Sequence, residues 1–227
     1  MTLSIVIPVL NEAAGIEAAL RALAPLRTSG VEIIVVDGGS SDGTAALARP
    51  LADRVLSAPR GRAAQMNAGA NVARGDALLF LHADTRLPDN ASDLIRGALT
   101  TNAWGRFDVR FDSGGLLPLI AAMMNLRSRL TGVATGDQAM FMRREVSTAA
   151  GGFPDIALME DVALAARLKR IGRPRCLSAC VTTSGRRWRL HGTLRTVLLM
   201  WRLRLAYFFG SDPGKLARQY GYGAAEQ

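Results

Sequence analysis

Short apolar runs alternate with helical patterns over residues 3–81, and this alternation restricts the chain to few folds. Three apolar runs of strand length, the first two rich in β-branched residues, are bounded by polar or turn residues: 3–9, 33–36 and 77–81. Between them lie helical patterns over 13–23, 44–48 and 63–72. This order predicts βαβ units with right-handed crossovers. We therefore expect an α/β fold in which helices flank a mostly parallel sheet.

Polar residues follow three of the predicted strands, at the points where the strands end. Asn11-Glu12 follows the first strand, and residues 37–43 follow the second. With a short strand over 54–57 counted as third, His82-Ala83-Asp84 follows the fourth. Ligands of open parallel sheets bind at the carboxyl ends of the strands. We therefore expect the functional site at this edge.

The loop over 37–43 reads Asp-Gly-Gly-Ser-Ser-Asp-Gly and joins a buried strand to a helix. Its three glycines allow the backbone to approach a nucleotide closely, and its serines or Asp42 can cap the helix. The alternative is a tight turn and a helix cap with no ligand. The loop contains neither G-x-G-x-x-G nor G-x-x-x-x-G-K-[ST], so the sequence predicts neither a Rossmann fingerprint nor a P-loop.

Two further acidic positions are candidates for chemistry. Asp84 stands at the predicted mouth of the sheet, where a carboxylate can hold a divalent cation on a diphosphate, although an Asp after a strand also forms turns. Glu160-Asp161 precedes an apolar helical pattern, and carboxylates suit a first helical turn. Adjacent side chains on a helix diverge, so one can cap while the other faces a cleft as a general base.

The net charge of +9 is concentrated at the C-terminus. Residues 1–164 hold 15 Lys and Arg against 17 Asp and Glu, whereas residues 165–227 hold 13 against 2. Such a block favours an anionic partner: a phosphate group, an anionic membrane surface or nucleic acid. The segment 186–191 reads Arg-Arg-Trp-Arg-Leu-His, which suits bidentate contact with phosphate, or else is a solvated basic face. His191 is either structural or an additional metal ligand.

No linker divides the chain, although its pattern becomes less regular beyond Pro88. The sequence beyond Pro88 predicts a helix near 91–99, a strand over 104–111 and a Met-rich helix over 117–130. We expect one domain over 1–185, followed by a basic helical extension over 186–227.

The expected compartment is the cytoplasm. The N-terminus has no basic region and its apolar run is too short for a signal peptide, and no segment reaches the roughly 20 apolar residues of a membrane span. The only cysteines are Cys176 and Cys180, which favours a reducing compartment.

Residues 193–209 carry apolar side chains at helical spacing, with Arg195, Arg202 and Arg204 apart from most of them. This face either packs on the domain or on a second protomer of a homo-oligomer, or lies on the inner face of an anionic membrane.

An ordered set of motifs resembles the family 2 glycosyltransferases with the GT-A fold, in particular their small bacterial non-processive branch. The resemblance covers roughly residues 3–172. The matching segments are 4–12, 36–44, 61–69, 75–76, Asp84, 151–153 and Glu160-Asp161. It implies a GT-A nucleotide-binding sheet, a nucleotide-sugar donor that is most often UDP-linked, a divalent cation (Mn²⁺ or Mg²⁺) and inverting transfer in one displacement.

The resemblance also implies roles for residues on the donor side. Pro8 and Glu12 match positions that contact the nucleoside, and Asp37 matches the carboxylate that hydrogen-bonds the base. Arg62 lies where the family places a donor contact. Asp84 matches the last residue of the Asp-x-Asp motif that holds the metal, whereas His82 occupies the place of its first Asp.

Near the chemistry, Asp161 matches the catalytic base of the Glu-Asp motif. Residues 184–188 are similar to the Gln-x-x-Arg-Trp element of processive members, and within them Arg187 is a candidate diphosphate contact. Ser184 replaces the Gln of that element, which argues against a processive polymerase. The acceptor is unidentified, and a lipid-linked acceptor would suit the basic C-terminus.

Two other functions compete with this interpretation. A nucleotidyltransferase would need a Gly-rich, Lys-bearing first loop, but residues 8–15 contain no basic residue. A non-enzymatic protein that binds membrane or nucleic acid through its basic C-terminus would leave the N-terminal half unexplained. Nucleic-acid binding further predicts interleaved aromatic residues, for which Trp188 and Trp201 are sparse support. We therefore expect no nucleic-acid partner.

Overall fold

The computed structural model describes residues 1–221, apart from the side chains of Arg187 and His191. Eight strands form one sheet in the order β3-β2-β1-β4-β7-β6-β8-β5. The strands are β1 (Leu3–Val9), β2 (Glu32–Asp37), β3 (Arg54–Ser57), β4 (Ala77–Phe80), β5 (Thr85–Arg86), β6 (Trp104–Phe111), β7 (Phe141–Arg143) and β8 (Arg175–Thr183).

Eleven helices accompany the sheet within the described residues. They are α1 (Ile16–Ala22), α2 (Ala24–Thr28), α3 (Thr44–Ala48), α4 (Arg62–Val72), α5 (Ala91–Thr101), α6 (Leu117–Thr131), α7 (Arg144–Ala149), α8 (Glu160–Ile171), α9 (Arg186–His191), α10 (Thr193–Phe208) and α11 (Pro213–Tyr220). A short 3-10 helix spans Gly136–Gln138.

The predicted βαβ order is confirmed in the N-terminal half. β1 lies between β2 and β4 and is parallel to both, and β3 extends the parallel set beyond β2. The β-branched residues of β1 and β2 are almost fully buried because helices cover both faces, as the continuous apolar runs predict. Predicted and observed boundaries differ mainly in α1, which begins at Ile16 rather than Ala13.

The second half of the sheet is mixed. β7 is antiparallel to β4 and to β6, β6 is parallel to β8, and β5 is antiparallel to β8. The strand predicted over 104–111 is confirmed as β6. Its pairing with β8 shifts register between Phe107 and Asp108. β5, β7 and β8 were not predicted.

Side chains of β1 alternate between two apolar layers. Ile5 and Ile7 face the layer that includes α1 and α5, whereas Val6 faces the layer that includes α4 and α8. Gly69 of α4 allows close approach there, since a Cβ on it would lie 2.4 Å from Cγ1 of Val6. The absence of a side chain at Gly69 therefore sets how closely α4 packs on the sheet.

The C-terminal helices pack together and onto the segment before α8. Leu203 of α10 and Leu216 of α11 are buried with Leu158 and Met159 in a third apolar cluster. The division of the chain after residue 185 stays a prediction.

The predicted apolar face of α10 is largely exposed within the described residues. Its five most exposed large apolar side chains are 59–81% exposed and lie at helical spacing: Leu194, Leu198, Trp201, Leu205 and Phe208. Helix α6 exposes a second stripe, formed by Leu119, Met123, Leu126 and Leu130. Over residues 1–221, neither these helices nor any other is long and apolar enough to cross a membrane.

Candidate active site

Three carboxylates lie where the parallel strands end, as the sequence predicts. Asp37 is the last residue of β2, Glu12 follows β1, and Asp84 follows β4. Glu12 and Asp84 interact electrostatically although they are distant in sequence. The topology thus brings together acidic residues from three loops.

The loop after β2 is built around the buried side chain of Asp37. Its carboxylate accepts hydrogen bonds from the backbone N–H groups of Gly39 (3.3 Å) and Ser40 (3.1 Å), and from the Ser40 hydroxyl. Gly39 and Gly43 have φ angles of +90° and +86°, a region that glycine enters without strain. The glycines therefore allow the backbone turns of this loop, and the hydrogen bonds to the Asp37 carboxylate stabilise its conformation.

The loops after β1 and β2 are joined by hydrogen bonds. The backbone N–H of Asn11 donates to Oγ of Ser40 (2.8 Å), and the N–H of Ser41 donates to Oδ1 of Asn11 (2.9 Å). The N–H of Glu12 donates to Oγ1 of Thr44 at 2.8 Å. Asn11 adopts φ +53°, a conformation that Asn tolerates better than most residues. These hydrogen bonds hold the two loops together at this edge of the sheet.

Gln65 stabilises this edge of the sheet, a role that was not predicted from the sequence. Its buried side-chain amide on α4 donates to the carbonyl oxygens of Val9 (2.7 Å) and Val36 (2.8 Å). It thereby ties the ends of β1 and β2 together. Gln65 is a polar residue within a largely apolar helical pattern, and that exception was the available signal.

Glu12 faces the C-terminal segment. Its Oε1 lies 3.7 Å from Nη2 of Arg186. Burial raises the pKa of the Glu12 carboxyl above its usual value, Arg186 opposes this shift, and Asp84 and Asp42 add to it. Arg186 is thus the described member of the basic 186–191 segment that reaches the loop after β1.

Arg62 connects the two sides of the candidate site. It is the first residue of α4, and its charge acts on Glu12, Asp137 and Glu160. A single guanidinium group therefore influences both Glu12, in the loop after β1, and Glu160, at the start of α8.

Glu160 and Asp161 diverge, as adjacent helical residues must. Glu160 is 6% exposed, and burial raises its pKa to about 7, with a further contribution from the charge of Asp161. Asp161 is half-buried and its carboxylate accepts backbone hydrogen bonds from Val162 and Gly136, both at 2.7 Å. Each of those oxygens retains a second lone pair, so Asp161 can still accept a proton.

His82 is paired with an acidic residue that was also missed. Its Nδ1 lies 3.5 Å from Oδ1 of Asp137. Burial opposes ionisation of Asp137, but the hydrogen bond and charge of His82 hold its pKa below the usual value. A Cβ on Gly136 would lie 2.6 Å from Nε2 of His82 and 3.8 Å from Oδ2 of Asp161. The backbone at Gly136 therefore separates the His82 ring from the Asp161 carboxylate.

The remaining predicted residues are placed as follows. Pro8 is half-buried in β1, opposite Val36 of β2. Asp84 is exposed. Arg187 and His191 lie on α9, but their side chains fall outside the described residues.

The described residues hold no group of three or more His, Cys, Asp or Glu side chains arranged to bind a metal ion. The exposed Asp84 carboxylate with Glu12 nearby suits the way Mg²⁺ is bound by one or two carboxylates plus substrate phosphates, rather than by a protein cage. The residues present fit a cation that arrives with a diphosphate.

A surface cleft lined by Asn67 and Arg144 lies beside α4 and α7 and contains none of the predicted site residues.

Comparison with known proteins identifies relatives of this chain. The model of the family described as "Glycosyl transferase family 2" matches residues 4–148. The succinoglycan biosynthesis protein ExoA of Rhizobium meliloti (strain 1021) is 38% identical over an alignment of 114 residues, which covers 44% of this chain and 33% of that protein. The chain spans about a third of the length of the curated relatives it matches.

Solved structures with the same fold are more distant in sequence. Residues 1–349 of S. aureus TarS in complex with UDP-GlcNAc superpose with a TM-score of 0.67 at 19% identity, covering 81% of this chain and 58% of that one. The mannosyltransferase PcManGT from Pyrobaculum calidifontis, in complex with GDP-Man and Mn²⁺, gives a TM-score of 0.65 at 19% identity, covering 97% and 69%. These likenesses confirm the expected α/β fold of the GT-A type.

Proposed function

The chain belongs to glycosyl transferase family 2, and from this premise we propose that it moves a sugar from a nucleoside-diphosphate sugar, UDP-linked, to an acceptor hydroxyl with inversion. One observation carries the proposal. The carboxylates of Glu12, Asp37 and Asp84 follow strands that end at one edge, and Arg62 links that edge to the Glu160-Asp161 pair. This arrangement supports a single site in which a donor side and a base side lie together.

The donor side is assigned to the loops after β1 and β2. In the proposal Asp37 hydrogen-bonds the base, and Pro8 and Glu12 contact the nucleoside. Arg62 and Arg187 supply positive charge to the donor and its diphosphate, a role suited to the guanidinium fork. The hydrogen bonds that join the two loops support a preformed nucleoside site.

Asp84 would hold a divalent cation, Mn²⁺ or Mg²⁺, with His191 as an additional ligand. Such an ion, when bound, stabilises the negative charge that develops on the departing nucleoside diphosphate. Both the TarS and PcManGT complexes hold nucleotide sugars, and the latter also holds Mn²⁺. Arg62, whose charge acts on Glu12 and Glu160, would add to that charge stabilisation.

Asp161 is proposed as the general base. Its carboxylate takes the proton of the acceptor hydroxyl while that oxygen attacks the anomeric carbon from the face opposite the nucleotide. The backbone donors of Gly136 and Val162 fix the carboxylate at the start of α8, so its orientation does not depend on the substrate. Attack from that face inverts the anomeric configuration.

We further propose that the exposed apolar stripes of α6 and α10 contact the inner face of an anionic membrane. Both stripes are uncovered within the described residues, and the segment 165–227 carries 13 basic against 2 acidic residues. Each basic residue near such a surface contributes about 1 kcal/mol. Flotation with anionic and neutral liposomes at low and physiological salt tests this contact. Protein that remains soluble throughout, or that forms a dimer covering the stripes in sedimentation equilibrium, would contradict it.

The transferase proposal is tested by incubation with a panel of UDP- and GDP-sugars and Mn²⁺ or Mg²⁺, with released nucleoside diphosphate as the readout. We expect release with at least one UDP-sugar, including slow transfer to water when no acceptor is added. A matched reaction in EDTA measures the dependence on the cation. Release of inorganic pyrophosphate from a nucleoside triphosphate would instead indicate a nucleotidyltransferase.

A further inference from the structure

Two arginines of the C-terminal half carry buried nitrogen atoms without acceptors. Nε and Nη2 of Arg127 on α6 and Nε of Arg204 on α10 are shielded from solvent, and no hydrogen-bond acceptor contacts them in the part of the chain that the structure describes. A buried N–H group without a partner is unfavourable by about 1–3 kcal/mol, and more when the group is charged. Two such groups at one place need an explanation.

The two guanidinium groups are also neighbours of like charge. Burial, together with the charge of Arg204, lowers the pKa of Arg127 to about 10, while Asp161 favours the charged form. No ion pair joins Arg127 or Arg204 to a carboxylate within residues 1–221. The arrangement therefore places two positive charges close together without a direct ion pair to a carboxylate among the described residues.

A nearby arginine shows what a satisfied group looks like in this fold. Arg106, fully buried on β6, donates to Oγ of Ser128 at 3.0 Å and to the carbonyl oxygen of Asn125 at 3.1 Å, and it pairs with Asp108. Ser128 directly follows Arg127 on α6. The fold thus provides hydrogen-bond acceptors for the guanidinium group of Arg106 but none for Nε and Nη2 of Arg127 among the described residues.

The pair lies on the base side of the candidate site. Arg127 interacts electrostatically with Asp161, and Arg204 with Asp137. The groups that act on Glu12 are instead Arg186, Asp84, Asp42 and Arg62. Arg127 and Arg204 are therefore associated with the carboxylate that would meet the acceptor, and Arg186 with the nucleoside loops.

We propose that Arg127 and Arg204 bind an oxyanion of the acceptor, a phosphate or a carboxylate, so that the acceptor of this enzyme is an anionic molecule. An oxyanion between the two side chains would accept the unpartnered N–H donors and neutralise the paired positive charges. It would also fix the acceptor hydroxyl relative to Asp161. The inference rests on the proposed function, because only a transferase has an acceptor.

Phosphate binding tests the site itself. Calorimetric titration of the full chain with inorganic phosphate at constant ionic strength is expected to show one binding site. Arg127→Gln and Arg204→Gln should each weaken binding at least tenfold. Arg170→Gln, which removes an equal charge from the exposed end of α8, should not. Absence of phosphate binding, or equal binding by all variants, would overturn the proposal.

Folding of the variants is controlled separately. Arg127→Met removes an unpaired buried charge, so without phosphate it should unfold at the same or a higher urea concentration than the wild type. Phosphate should raise the unfolding midpoint of the wild type only. A large loss of stability in Arg127→Met would show that the side chain is structural, and the proposal would fail.

Competition with UDP separates this inference from the proposed function. Saturating UDP should leave phosphate affinity unchanged, because the two ligands occupy opposite sides. Displacement of phosphate by UDP would place the anion at the donor diphosphate and overturn the acceptor assignment. Phosphate binding without any nucleotide binding would refute the transferase and leave only an anion site.

Two competition experiments distinguish a soluble anionic acceptor from a lipid-linked one. One uses a soluble phosphate monoester such as methyl phosphate as the competitor of inorganic phosphate, and the other uses neutral vesicles with and without phosphatidic acid. Competition by methyl phosphate alone indicates a soluble acceptor, and competition by the phosphatidic acid vesicles indicates a lipid-linked one. Failure of both to compete would overturn the site.

Discussion

Glu160 is expected to make the fold less stable as the pH rises toward neutrality. Its side chain is 6% exposed, and burial together with the charge of Asp161 raises its pKa from 4.5 to about 7. Between those values the folded state holds a proton that the unfolded chain has released. The free energy of unfolding must therefore fall as pH rises through this interval.

The magnitude follows from the two pKa values. A pKa near 7 instead of 4.5, at about 1.4 kcal/mol per unit, corresponds to about 3.5 kcal/mol in total, of which roughly 2.5 kcal/mol falls between pH 5 and pH 8. Gln has nearly the shape of the protonated carboxyl and does not titrate. Glu160→Gln should thus match the wild type near pH 5 and exceed its stability by about 2–3 kcal/mol at pH 8.

Urea denaturation at pH 5, 6, 7 and 8 measures this difference, with tryptophan fluorescence as the probe because Trp104 is fully buried. Glu17→Gln is the matched control, since Glu17 lies on the exposed face of α1. Its difference from the wild type should stay flat with pH. If the Glu160→Gln difference is equally flat, or if this variant is the less stable protein at pH 8, the reasoning about burial is wrong.

Four further predictions concern the site and the core. Asp161→Asn should lower the transfer rate on the order of 10²–10⁴-fold with little change in UDP affinity, as measured by nucleotide release; a near wild-type rate would exclude Asp161 as the base. Asp37→Ala should weaken UDP binding in calorimetry while the circular dichroism spectrum stays unchanged, and equal affinity would remove its nucleoside role. Asp84→Asn should abolish the dependence of UDP binding on Mn²⁺, whereas a dependence that survives would place the cation elsewhere. Gly69→Ala should lower the free energy of unfolding by about 1–3 kcal/mol, because its Cβ would overlap Val6; an unchanged urea midpoint would refute that packing argument.

The first half of the fold was predictable because its signals are local. The strands β1 and β2 are continuous β-branched runs, and their burial on both faces makes that composition necessary. Convergence of Glu12, Asp37 and Asp84 followed from parallel pairing, which brings the carboxyl ends of strands to one edge. These features needed no knowledge of distant contacts.

The second half was less predictable for physical reasons. β7 has only three residues, Phe141–Arg143, and its place between β4 and β6 depends on antiparallel pairing with strands distant in sequence. The register shift beside Asp108 interrupts the period-2 pattern where β6 and β8 pair. At the site, the pairs His82–Asp137 and Arg127–Arg204 join separate elements, so no spacing rule along the chain reveals them.

The hydrogen bonds between the loops after β1 and β2 have a consequence for the thermodynamics of ligand capture. Hydrogen bonds of Asn11 with Ser40 and Ser41, and of Glu12 with Thr44, already restrain both loops. The conformational entropy of these loops is therefore lost when the chain folds, not when a nucleotide arrives. A rigid receptor of this kind can capture its ligand at a rate set by diffusion and orientation, without waiting for a loop to close. Nucleoside selectivity would then depend on the fit of a fixed surface, and a substitution that loosens the loops would weaken affinity even if it touched no ligand atom.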